Sequence, residues 1–172
     1  MKNGKYVYKD EAAMKKMHEF YNKTLASLDV SYAEENFDTT FGKTHCIIAG
    51  DTSKPMICTI HGGNGITTLN LKLFKPLLSR YCILTPDVIG MPGKSEPYRN
   101  ISSGRDEYGK WIREVLEHYG IMKIPWLRCA GKRWSFLRTT IRLFYVTETF
   151  ERRIRKCLRY IRKRKELTSK TT

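Results

Sequence analysis

Twice in this chain an apolar run of strand length ends in a glycine-bearing loop, and a helical pattern follows each loop. Met56-Ile57-Cys58-Thr59-Ile60 leads into His61-Gly62-Gly63-Asn64-Gly65. Tyr81-Cys82-Ile83-Leu84-Thr85 leads through Pro86 into Asp87-Val88-Ile89-Gly90-Met91-Pro92-Gly93-Lys94-Ser95. A run that is apolar on both faces has to be covered on both, as happens in the middle of a parallel sheet. Strand, helix, strand and helix joined by such linkers predict right-handed βαβ units, and so an α/β fold.

The first of these helices is predicted from Leu69, Leu73, Phe74, Leu77 and Leu78, with Pro76 kinking or limiting it. The second is predicted from Tyr108, Trp111, Ile112, Val115, Leu116 and Tyr119, with Gly120 as its stop. Upstream, Ala13, Met17, Phe20, Tyr21, Leu25 and Leu28 predict one face of an amphipathic helix over Asp10 to Leu28. A hairpin is expected next, from Tyr32 to Asp38 and Thr44 to Ala49, with its turn near Phe41-Gly42-Lys43. Beyond Ile121 the pattern weakens. Ile124-Pro125-Trp126-Leu127 reads as a strand whose proline suits a central position poorly. Phe150, Ile154, Cys157, Leu158 and Ile161 make one face of a basic helix.

Charge changes at the same place. Residues 1–122 hold 16 Lys+Arg and 14 Asp+Glu, whereas residues 123–172 hold 16 Lys+Arg and 3 acids. Almost all of the net charge of +15 therefore sits in the last fifty residues. The five cysteines (46, 58, 82, 129 and 157) form no C-x-x-C pair and are expected to be buried thiols of a cytoplasmic protein. Histidines 18, 45, 61 and 118 are too scattered to predict a metal site, and no cofactor is expected. No apolar stretch approaches the ~18 residues of a membrane span. The amino terminus lacks a signal-peptide core, which argues against secretion by that route.

The two loops carry the chemistry. Glycines let a backbone N–H approach a substrate closely, and such donors stabilise the negative charge that builds on a carbonyl oxygen during acyl transfer. Gly-Lys-Ser at 93–95 invites a phosphate-binding reading, but Val88 stands where that motif needs glycine and Pro92 removes an N–H. Together, H-G-G-N-G and D-x-x-G-x-P-G-x-S at this distance resemble the front half of an α/β-hydrolase of the esterase/lipase-like kind. The resemblance covers about residues 10–124. It implies an oxyanion loop at His61, Gly62, Gly63 and Asn64, with Gly63 as donor and His61 structural. It also implies a site-mouth loop at Asp87, Gly90, Gly93 and Ser95, and a small ester or similar acyl substrate.

The same resemblance implies a G-x-S-x-G nucleophile turn about ten residues after Gly120. The residues there are Leu127-Arg128-Cys129-Ala130-Gly131-Lys132. Ala130 falls at the nucleophile position by direct count, and Cys129 is the fallback nucleophile with a one-residue offset. The family order of Ser, acid and His fails too, because no histidine follows His118. The expectation is an incomplete α/β-hydrolase-type parallel sheet over 1–124, catalytically silent, followed by a basic tail of non-family character over 125–172. The half-sheet is expected to leave an apolar edge open to self-association. The tail has several readings: nucleic-acid or polyanion binding through residues 150–172, an anionic membrane surface, a solvated charged terminus, or translation in a shifted frame.

Overall fold

A computed structural model describes residues 4–62, 65–102 and 106–128 of the chain. Gly63, Asn64, Cys129 and the expected basic helix at 150–161 lie outside the described residues. In chain order the elements are β1 (Lys5–Tyr6), α1 (Glu11–Ala26), β2 (Tyr32–Thr39), β3 (Gly42–Ala49) and β4 (Met56–Ile60). Then come α2 (Thr67–Phe74), a 3-10 turn (Lys75–Ser79), β5 (Cys82–Pro86), β6 (Tyr98–Arg99), α3 (Glu107–His118) and β7 (Trp126–Arg128).

Five strands form one sheet in the order β2-β3-β5-β4-β7. The expected parallel strands are present in β4, β5 and β7, and the expected hairpin of β2 and β3 makes the sheet as a whole mixed. β2 pairs antiparallel with β3, and β3 with β5, so only β5, β4 and β7 run parallel. Linker length explains this. A parallel return needs a dozen or more residues, and the six of Gly50–Pro55 can only turn the chain back. The longer stretch from His61 to Tyr81 has room for α2 and brings β5 alongside β4 in parallel. A second, two-stranded sheet pairs β1 antiparallel with β6; two residues per strand leave no periodic trace in the sequence.

Side-chain alternation divides the core between the faces of the large sheet. Cys46, Cys58, Ile60 and Leu84 pack with Tyr108, Trp111, Ile112, Val115 and Leu116 of α3. Ile47, Ala49, Ile57 and Ile83 pack with Tyr21 and Leu25 of α1 and with Leu71 and Phe74 of α2. The indole Nε1 of Trp111 donates to Thr44 Oγ1 at 2.9 Å, so its one polar atom is satisfied within the core. Cys46, Cys58 and Cys82 are buried free thiols whose pKa values burial pushes up, so they stay protonated and pack as small apolar groups.

Asp10 caps α1, its carboxylate accepting from the Ala13 amide at 2.7 Å. The helix buries Tyr21, Thr24 and Leu25, with Met17 partly covered, whereas Phe20 faces outward, contrary to expectation. α2 is a larger correction. Leu69 and Leu73 are 46% and 41% exposed, and the buried face is Thr67, Asn70, Leu71 and Phe74. A two-turn helix with leucines on both sides has no unique apolar stripe. Pro76 then changes its pitch to the 3-10 turn that buries Leu77 and Leu78. α3 buries the residues its periodicity predicts, and Gly120 follows it at φ +65°. β2 presents Glu34, Glu35 and Asp38, and a charged edge of this kind resists strand addition.

Candidate active-site loops

The parallel register of β4 and β5 pairs Met56 with Cys82, Ile57 with Ile83 and Cys58 with Leu84. Both strands therefore end on the same edge of the sheet, and the loops starting at His61 and Asp87 leave side by side. β7 joins from the other side, pairing Ile60 with Arg128. Three carboxyl ends of parallel strands meet at this edge. Pro125 immediately precedes β7, and its carbonyl accepts from the Cys58 amide at 2.9 Å, so the proline sits at the start of the strand, a position where its missing N–H is tolerated.

In the first loop the Gly65 amide donates to the Gly62 carbonyl at 2.9 Å. His61 is 1% exposed. Its Nδ1 donates to the Gly62 carbonyl at 3.0 Å, and its Nε2 accepts from the Val88 amide at 3.4 Å. Burial lowers its pKa, which keeps the ring neutral, as acceptance at Nε2 requires. His61 is thus a staple between the two loops, with neither nitrogen free to take a proton from a nucleophile.

The second loop is organised around Asp87, which is fully buried. Oδ1 accepts from the Tyr21 hydroxyl at 3.2 Å, and Oδ2 from the Lys94 amide at 2.8 Å and from His45 Nδ1 at 2.9 Å. Burial, and then the Asp87 charge, pushes the Tyr21 phenol up, so it remains a donor. Ser95 donates to the Asp87 carbonyl at 2.7 Å and accepts from the His45 amide at 2.8 Å, so its hydroxyl is structural. A Cβ at Gly93 would lie 2.8 Å from the Asp87 carboxyl carbon, and this close approach explains the glycine. At Gly90 the reasons are φ +69° and the backbone of Arg99, whose Cα a Cβ would meet at 2.8 Å. From outside, the Tyr8 hydroxyl donates to the Gly93 carbonyl at 2.8 Å and accepts from the Gly93 amide at 2.9 Å. His18 Nε2 donates to the same carbonyl at 2.9 Å. Asp87 and Ser95 therefore anchor the loop from within, while Met91 and Lys94 are its more accessible members.

Sequence reasoning left Tyr21, Glu34, His45 and Tyr8 without a role, although each supports these loops. The signal available was His45 itself, an ionisable group in an otherwise apolar strand, which has to find partners once buried. His118 lies apart, donating to Glu35 at 2.8 Å and stacked on Phe37 at 3.8 Å. The Glu35 carboxyl is held below its usual range mainly by that hydrogen bond. Among the described residues no hydroxyl or thiol meets an imidazole on the side facing the Gly62 turn. Nor, among those residues, could any group of three His, Cys, Asp or Glu side chains hold a metal ion.

No protein-family model matches the chain. The uncharacterized carboxylesterase nap of Bacillus subtilis (strain 168) is 30% identical over 106 residues, which is 62% of this chain and 35% of that protein. The crystal structure of naproxen esterase (carboxylesterase NP) from Bacillus subtilis superposes with a TM-score of 0.61 and 27% identity, over 67% of this chain and 40% of its own. Carboxylesterase CesB (YbfK) from Bacillus subtilis shares the fold, with a TM-score of 0.57 at 20% identity over 68% of this chain and 41% of its own. The chain thus spans between a third and a half of the length of the proteins that it resembles.

Proposed function

We propose, on the premise that the described residues are the amino-terminal part of an α/β-hydrolase, that this polypeptide keeps the anion-stabilising side of an ester-hydrolase site and is itself catalytically silent. Gly63 would supply the oxyanion N–H, with Gly62 and Asn64 shaping the loop and carboxylic esters as the substrate class. The observation that carries the reading is the pairing of Arg128 with Ile60. It brings the chain to the edge where a nucleophile turn would begin, and the residues that follow are Cys129-Ala130-Gly131-Lys132-Arg133. A strained nucleophile turn needs small neighbours, whereas Lys132 stands where its last glycine would be under the direct count. The nearby imidazoles support the same conclusion, because both nitrogens of His61 and both of His45 are already hydrogen-bonded.

The purified polypeptide is expected to turn over p-nitrophenyl esters no faster than buffer and to resist labelling by a fluorophosphonate probe. Stoichiometric labelling would overturn the proposal. So would turnover that Cys129→Ser abolishes, which would identify Cys129 as a working nucleophile.

The charge asymmetry favours a second reading, in which residues 150–172 bind polyanions without sequence preference. Affinity for a short DNA duplex is then expected to fall by roughly 10³-fold or more between 50 and 200 mM salt. It should also vanish when residues 150–172 are removed. Affinity that is indifferent to salt or survives the deletion rules this reading out.

A further inference from the structure

His45 is 1% exposed, and both of its ring nitrogens face carboxylates. Nδ1 lies 2.9 Å from Asp87 Oδ2, and Nε2 lies 3.1 Å from Glu34 Oε1. An ionised carboxylate only accepts, and a neutral imidazole carries a single N–H. With a neutral ring, one of the two contacts would set lone pair against lone pair. The carboxylates also accept from other donors. Asp87 takes the Lys94 amide and the Tyr21 hydroxyl, and Glu34 takes the Lys94 ammonium. We infer that His45 carries protons on both ring nitrogens and, as an imidazolium, is the positioning residue that fixes the Asp87–Ser95 loop onto the β2-β3 hairpin.

Charge balance supports the assignment. With His45 as an imidazolium, the buried carboxylate of Asp87 and the partly exposed one of Glu34 are balanced by two cations, His45 and Lys94. The groups facing the ring are Glu34 from β2, Asp87 from the loop after β5, and the Tyr21 hydroxyl from α1, 3.5 Å from Nδ1. Lys94 reaches the cluster through Glu34 and lies over the Tyr21 ring, 4.9 Å from its centroid. Tyr21 stays a neutral phenol, because burial pushes it up first and the neighbouring carboxylates add to the effect. The hairpin and the loop thereby form one ionic unit, and the loop in turn holds His61 through the Val88 amide. This assignment stands whether or not the polypeptide turns over an ester, and its test uses no activity.

Long-range proton–nitrogen spectra of the ¹⁵N-labelled full chain read the histidine rings directly. The expected result at neutral pH is two ring protons on His45 and one on His61. In Glu34→Gln the acceptor shape is kept and the charge is lost. The second His45 proton should then disappear, and the Lys94 and Gly93 amides should exchange with solvent roughly tenfold faster. Glu34→Asp should recover part of both effects. Because Glu34 is partly exposed, these variants are read in a folded protein, unlike replacements of His45 itself. A single ring proton on His45 in the parent chain overturns the inference. Loop exchange that is unchanged in Glu34→Gln also overturns it, since His45 would then be a packed core residue without a positioning role.

Discussion

Asp87→Ala should destabilise the protein by about 3–5 kcal/mol, the usual cost of removing one partner from a buried ion pair. The mechanism is specific. Without the carboxylate, His45 Nδ1, the Lys94 amide and the Tyr21 hydroxyl all lose their acceptor, in a place that water does not reach. Domains of this size are stable by only about 5–15 kcal/mol, so the change removes a large share of the total. Urea unfolding followed by circular dichroism measures the change directly. A loss below about 1 kcal/mol would mean that the cluster around Asp87 contributes little to the fold.

An effect of comparable size is expected on the other face of the sheet. Trp111 is 1% exposed and is, among the described residues, the largest side chain buried to that extent. Trp111→Ala should cost about 3–5 kcal/mol, through lost transfer energy and the cavity left behind. Trp111→Phe separates the hydrogen bond from the packing. It keeps most of the ring and loses the donor to Thr44, so about 1–2 kcal/mol is expected. Thermal unfolding of the three proteins side by side gives the order parent, Phe, Ala. If Phe proves as damaging as Ala, packing is not the larger contribution and this account of the α3 face fails.

The contrast between α3 and α2 shows how much of the fold was legible. In α3 the apolar residues occupy one stripe over three turns, and the stripe is what the sheet covers. In α2 the leucines at 69, 71 and 73 point in several directions. Only contact with α1 and with β4 and β5 selects Leu71 and Phe74 as the buried members. β4 and β5 were readable as largely apolar runs bounded by turn residues, and β2 and β3 as a hairpin about the turn near Phe41-Gly42-Lys43. Orientation was less so, although the six-residue linker Gly50–Pro55 already forbids a parallel return. The two loops were legible as motifs. Their internal anchoring was not, because Asp87 meets Tyr21 and His45 at separations of 66 and 42 residues.

The sequence by itself determined where the strands of the large sheet lie, which helix face α3 buries, where both glycine loops fall and where the positive charge concentrates. These follow from local quantities: spacing, turn chemistry and composition over a few consecutive residues. Tertiary structure alone decided that β3 slots in beside β5, that α2 turns Leu69 and Leu73 outward, and that a buried histidine between two carboxylates holds the second loop. The physical reason is that burial creates these requirements. A charged side chain in an extended chain is satisfied by water, and only when the sheet closes over it must a partner come from elsewhere in the chain.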